Sequence, residues 1–145
     1  MPVTVTTRPG SLGGAAEQPG QARVEYRLAR NAVVRDVRRG RLDQVDVCDA
    51  HPELLRAARN IGRPTGEDCP ICQCEPTVEV TYVFGAHLPP GGRCPGTVKE
   101  LNQLRQRVDP VLCYDVEVCP GCAWHHLTRK YPAGGRRPRS RAEQQ

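Results

Sequence analysis

Two short stretches, Cys69-Pro-Ile-Cys72 and Cys119-Pro-Gly-Cys122, restrict this chain more than anything else in it. A C-x-x-C turn presents both thiolates on one side of a tight knuckle. Two knuckles facing one another make a tetrahedral four-sulfur site of the kind that holds zinc, with zinc–sulfur distances near ~2.3 Å. The 46 residues between Cys72 and Cys119 must therefore leave and return. The chain is short of other means of holding itself together. With 14 Gly, 14 Pro and 4% aromatics in 145 residues, little apolar material is left for a large core, and a cross-link compensates.

The intervening pattern can return the chain. Val78, Val80, Tyr82 and Phe84 alternate with Thr77, Glu79, Thr81 and Val83, the period of a strand. Residues 85–96 form a Pro/Gly loop. A short helix follows, with Thr97 and Glu100 at capping-box spacing and Val98, Leu101, Leu104 and Val108 as its inward stripe, ended by Asp109-Pro110. "VLCYDVEV" is a second strand with Leu112, Tyr114, Val116 and Val118 on one face, and "AWHHLTRKY" (123–131) a third. Upstream, "VEYRLARNAVVRDVRRG" reads as a helix with Val24, Leu28, Ala32, Val33 and Val37 inward and Gly40 as its stop. "DAHPELLRAARNIG" is another, capped by Asp49 or His51, with Leu54, Leu55, Ala58 and Ile61 inward. The expected fold is α+β. An N-terminal helical hairpin precedes a zinc-ribbon-like three-stranded antiparallel sheet with one crossover helix, spanning residues 23–131. Residues 1–22 and 132–145 read as disordered tails, the second one basic.

The predicted cofactor is one structural Zn²⁺ per chain, on Cys69, Cys72, Cys119 and Cys122. A redox dithiol is the competing reading, since C-P-x-C resembles a glutaredoxin active site. A shared metal needs the motif twice, and a dithiol enzyme does not; inert thiols are the bland alternative. Cys74 is close enough to Cys72 to substitute as a ligand. Cys113 reads as a small buried or half-buried residue, Cys94 as an exposed free thiol, and Cys48 as core packing, with a ligand or reactive-thiol role as its alternative. His125 and His126 point to opposite faces of a regular strand, so they cannot both ligate one metal. One of them can hydrogen-bond a knuckle thiolate; solvent-exposed or sheet-packing histidine is the bland reading for both and for His87. Trp124 is expected to pack on the knuckle.

Catalysis has little support. There is no phosphate-cradling glycine loop, no nucleophile elbow and no H-E-x-x-H, and four cysteine ligands close a zinc to substrate. No small-molecule substrate is expected. The first 21 residues contain no secretory h-region, and no stretch approaches the ~20 apolar residues that span a bilayer. The expectation is a cytoplasmic chain with no membrane insertion.

The formal charge of +5 hides a segregation: residues 23–41 carry seven Arg against Glu25 and Asp36, residues 42–128 carry seven bases against twelve acids, and residues 129–145 carry six bases against Glu143. An acidic body is thus flanked by a basic helix and a basic tail. Arg27, Arg30, Arg35, Arg38 and Arg39 on the helix, with Arg136, Arg137 and Arg139 in the tail, are the candidate contacts to nucleic acid or to a nucleic-acid machine. The alternatives are a protein–protein adaptor with purely structural zinc, and a thiol-redox or zinc-sensing protein.

The blocks "VEYRLARNAVVRDVRRGRL", "VCDAHPELLRAARNIGRPT", "CPIC", "TYVFGAHL" and "VEVCPGCAWHHLTRKY" resemble, in order, those of a family of small, functionally uncharacterised actinobacterial proteins. Genes of that family are often found near one for a bifunctional penicillin-binding protein. The resemblance covers roughly residues 23–131 and implies no activity. It supports the same four cysteines as paired ligands and draws attention to Cys48, Asp49, His87 and the Trp124–His125–His126 run. Cys74, Cys94 and Cys113 fall outside its motif.

Overall fold

The computed structural model describes residues 23–135. The tails read from sequence, with Arg136, Arg137 and Arg139, lie outside the described residues but for the start of the second. In chain order the elements are β1 (Val24–Glu25), α1 (Arg27–Arg38), α2 (Gln44–Val47), α3 (Pro52–Ile61), β2 (Arg63–Asp68), β3 (Pro76–Gly85), α4 (Val98–Arg105), β4 (Pro110–Val118) and β5 (His125–Gly134). The strands form one antiparallel sheet in the order β1-β5-β4-β3-β2.

The sheet has five strands where three were expected, and the two additions are its edges. "RPTGED" reads as a linker because it holds Pro64 and Gly66, yet both suit an edge strand. Pro64 needs no ladder donor there, and Gly66, at φ 87°, sits where the register slips between Pro64 and Asp68. β1 is two residues long and pairs Val24 with Lys130 and Glu25 with Arg129. That pairing removes Val24 from the helix it was expected to start. β5 runs past Tyr131 to Gly134 because Pro132 and Ala133 continue the pairing with Leu112 and Val111.

The helices settle on both faces. His51 caps α3, its Nδ1 accepting from the Glu53 N–H at 3.0 Å, and Pro52 occupies the first turn. α3 packs Ala58, Leu54 and Leu55 over Val80 and Val118. On the opposite face, α4 lays Leu101 and Leu104 over Val83, Val111, Cys113 and Tyr131 at one end. Thr97 caps it as expected, accepting from Glu100 N–H at 3.0 Å. At the other end of that face α1 sets Val33, Val34 and Val37 against Trp124 and the knuckles.

Three expectations fail here. α1 and α3 join different apolar clusters and are separated by α2, so they do not form a hairpin. α4 is not a crossover, because β3 and β4 are antiparallel neighbours and the helix simply lies within their connection. Leu28, Val98 and Val108 were placed inward but are 84%, 58% and 67% exposed. α1 and α4 each meet the sheet along a narrower stripe than the periodicity allows, one that begins at Val33 in α1 and holds only Leu101 and Leu104 in α4.

Between the α1 and α4 clusters the sheet face is polar. Asp115, 1% exposed, accepts from Thr81 Oγ1 at 2.6 Å and from Arg129 at 2.8 and 2.6 Å. Glu117 accepts a bidentate pair from Arg30, both at 2.9 Å, and a third bond from Trp124 Nε1 at 3.2 Å. Carboxylates can be buried here because each is met by a guanidinium fork and by neutral donors.

Candidate metal centre

The two knuckles close the α1 end of the molecule. The first lies between β2 and β3 and the second between β4 and β5, so the antiparallel sheet carries both to the same end of its strands. They are built alike. Cys69 N–H donates to the Glu75 carbonyl and Cys119 N–H to the Trp124 carbonyl, both at 2.8 Å. Gln73 N–H and Ala123 N–H return to the Cys69 and Cys119 carbonyls at 3.0 and 2.9 Å. Gln73 and Ala123 hold positive φ, 58° and 73°, the position where glycine is the unstrained residue.

Cys69, Cys72, Cys119 and Cys122 place their sulfur atoms within 4.8 Å of one another and can together hold a metal ion. The fit is geometric as well as chemical. Cys69–Cys122 and Cys72–Cys119 sulfurs are 3.7 and 3.8 Å apart. A tetrahedron of sulfurs about 2.3 Å from a central zinc has edges of about 3.8 Å. Backbone N–H groups aim at the sulfurs: Ile71 and Cys72 at Cys69 Sγ, 3.3 and 3.4 Å, Cys74 at Cys72 Sγ, 3.4 Å, and Cys122 at Cys119 Sγ, 3.5 Å. Such donors favour the thiolate form that a metal takes.

Burial pulls the other way. It pushes the Cys119 thiol up to about 11 and raises Cys122 as well, helped there by the neighbouring Cys48. At Cys72 burial also opposes ionisation, but the N–H groups of Cys74 and Glu75 prevail and lower it to about 7. Four clustered sulfurs, two of them fully buried, resist ionisation on their own; a cation at their centre would stabilise them as thiolates.

Cys74 is exposed and its thiol donates to the Cys72 carbonyl at 3.2 Å, away from the four sulfurs. His125 and His126 pair with Val118 and Glu117 on opposite faces, as the alternation required. His125 Nε2–H donates to Asp49 at 3.0 Å, and His126 Nδ1–H to the Leu127 carbonyl at 2.7 Å while its ring stacks on Trp124. The polar contacts of both rings thus lie away from the sulfurs. Burial lowers the His126 pKa. Trp124 is fully buried on the knuckles. Cys113 is buried beside Tyr131. Cys94 is not the exposed thiol expected of a loop residue: it packs beside α3, and burial raises it to about 11. The bridge between Val83 and Arg93 pulls that loop back onto β3.

Among the α1 arginines, Arg27, Arg35 and Arg39 are exposed, whereas Arg30 is committed to Glu117. Arg38 reaches the knuckle, donating to the Pro70 carbonyl at 3.3 Å. Arg30, Asn31, Arg35, Arg38 and Arg39 line, with Pro70, an open groove of about 370 Å³.

One residue matters more here than packing alone would make it. Cys48 donates its thiol to Cys122 Sγ at 3.4 Å, a fifth sulfur against the four. No spacing rule finds it, because it lies far upstream on the C-cap of α2.

The chain matches, over residues 18–145, the profile described as "Family of unknown function (DUF5318)". It belongs to that family. Among its relatives are the uncharacterized protein Rv0049 of Mycobacterium tuberculosis H37Rv and the uncharacterized protein Mb0050 of Mycobacterium bovis. Each is 40% identical over 115 residues, which is 79% of this chain and 84% of the relative. No solved structure matches it. Among the described residues no helix is long and apolar enough to cross a membrane.

Proposed function

We propose that this DUF5318 chain is a non-catalytic, cytoplasmic, zinc-stapled interaction module whose arginine groove takes the phosphate backbone of a nucleic acid, free or within a nucleic-acid machine. The observation that carries this reading is the groove itself: Arg35, Arg38 and Arg39 beside Pro70 of a knuckle, with Arg30 next to them on Glu117, on a helix whose Val33, Val34 and Val37 share one apolar cluster with the four cysteines. Zinc suits four thiolates at these spacings, and with all four positions filled by cysteine it would serve as a staple rather than a Lewis acid. Arginine forks are well matched to phosphate oxygens.

Fluorescence anisotropy with labelled DNA and RNA oligonucleotides tests the groove. Affinity is expected to fall steeply with salt, each phosphate contact contributing a slope of about 0.7 to 0.9 in the log–log plot. Arg35→Glu combined with Arg39→Glu is expected to weaken binding at least tenfold, flatten that slope and leave the metal content unchanged. Binding that ignores salt or ignores the double variant would end this reading.

Exposed Leu28 favours a second one. An apolar side chain on the outer face of α1, beside Arg27 and near Arg35, is what an acidic protein partner would cover. Recovery of one protein in a pull-down that survives nuclease treatment would favour this adaptor role.

A further inference from the structure

Cys48 sits in no metal-ligand motif, yet its position is fixed by three consecutive contacts. Cys48 touches Cys122, Asp49 accepts from His125 at 3.0 Å, and Ala50 N–H donates to the Ala123 carbonyl at 3.0 Å. The segment after α2 is thus laid along the second knuckle. Its effect is to hold one extra sulfur 3.4 Å from a ligand sulfur, closer than the two ligand pairs at 3.7 and 3.8 Å. A disulfide requires about 2.05 Å between the sulfurs, and this pair starts nearer to it than either ligand pair.

Access points to the same pair. Cys69 and Cys119 are fully buried, while Cys48, Cys72 and Cys122 are half-buried. An oxidant entering from solvent therefore meets Cys122 or Cys72 among the ligands. Only Cys122 has a thiol outside the set pointed at its sulfur. The thiol nearest Cys72 is Cys74, and that one is directed at a carbonyl.

The geometry points to Cys48 and Cys122 as a peroxide-responsive pair that opens the metal centre. This inference rests on the four-cysteine zinc reading and adds its regulation. The Cys122 thiolate attacks one oxygen of hydrogen peroxide, the O–O bond breaks, and the departing hydroxide takes a proton to become water. Cys122 is left as a sulfenic acid. The Cys48 sulfur then attacks that sulfur, its thiol proton leaving with the sulfenic hydroxyl as a second water. Two sulfurs have given up two electrons, one peroxide has become two waters, and a Cys48–Cys122 disulfide has formed. The centre is left with three sulfur donors, and its hold on zinc is lost. Because α1 shares its apolar cluster with these cysteines, the arginine groove would be disturbed in the same event.

The test uses the full chain, analysed first for zinc and then titrated with hydrogen peroxide. Zinc release is followed with a chromogenic chelator, and disulfides are located by peptide mass mapping after alkylation. The expected result is one Cys48–Cys122 linked peptide per zinc released. Cys48→Ser should keep its zinc at rest, retain the wild-type circular dichroism spectrum and release the metal several-fold more slowly under peroxide. Cys48→Ala serves as a second variant should serine disturb the fold. Cys74→Ser should behave as wild type. Equal release rates in wild type and both Cys48 variants would overturn the pair, as would a Cys72–Cys74 disulfide or one among the four ligands. These outcomes leave the zinc staple standing. A folded wild type that carries no zinc before oxidation overturns both.

Discussion

The two ends of one sheet face are closed in opposite ways. At the α4 end Val83, Leu101, Leu104, Val111 and Tyr131 bury one another, and Cys113 sits among them as a small apolar residue. At the α1 end Cys69 and Cys119 are equally buried, but they are set beside other sulfurs and under backbone N–H groups. The contrast shows that burial alone does not assign a cysteine its role. Cys113 has burial as the leading influence on its thiol, which is raised. What separates the four candidate ligands from it is the company of three more sulfurs within 4.8 Å. One end is held by apolar area and the other by sulfur, with the Asp115–Arg129 and Glu117–Arg30 pairs spanning the polar strip between them.

The sharpest way to break this comparison is Cys119→Ser. Structural zinc in small sites contributes apparent binding energies of about 10–16 kcal/mol, so its loss should unfold the α1 end outright. Elemental analysis should fall from about one zinc per chain to none, and Trp124 fluorescence should shift to the red as the ring leaves its buried site. Retention of the metal by that variant would remove the staple. A smaller change belongs at the other end. Leu104→Ala should cost about 2–5 kcal/mol through lost burial and the cavity it leaves, with the zinc content unchanged. Chemical denaturation read alongside metal analysis checks it. If Leu104→Ala also released zinc, the two ends would not be independent, and their contrast would dissolve.

The sulfur end was the more legible in sequence because its information is local. Two C-x-x-C motifs announce two knuckles, strand alternation separates His125 from His126, and Trp124 follows the second knuckle directly. The apolar end was legible in α4, from the Thr97 cap and the spacing of Leu101 and Leu104. What escaped is set by tertiary partners. β1 is too short to have a period, and β2 carries Pro64 and Gly66, the residues that read as a loop. Cys48 has no motif, and its meaning comes only from lying against Cys122. Arg30 reads as one of several exposed bases until Glu117, on another element, claims it.

The smallest expected effect asks how far the sulfur end overrides its own backbone. Ala123 holds φ 73° in the second knuckle, and Gln73 holds φ 58° in the first. For a residue with a Cβ, this left-handed region costs about 1–2 kcal/mol, so the knuckles hold these conformations against local preference. Ala123→Gly removes that cost, but the freer unfolded chain returns about 0.5–1 kcal/mol of it. The net expectation is a stabilisation below about 1 kcal/mol, a rise of a few degrees in the melting temperature of the zinc-loaded chain. Ala123→Val should act in the opposite direction and more strongly, since a β-branched side chain is poorly tolerated at positive φ. No comparable substitution at the α4 end should show this sign, because there the packed residues hold ordinary strand and helix geometry. Were Ala123→Gly clearly destabilising instead, Ala123 would be contributing packing against the knuckle that outweighs its strain, and the two ends would be more alike than their chemistry suggests.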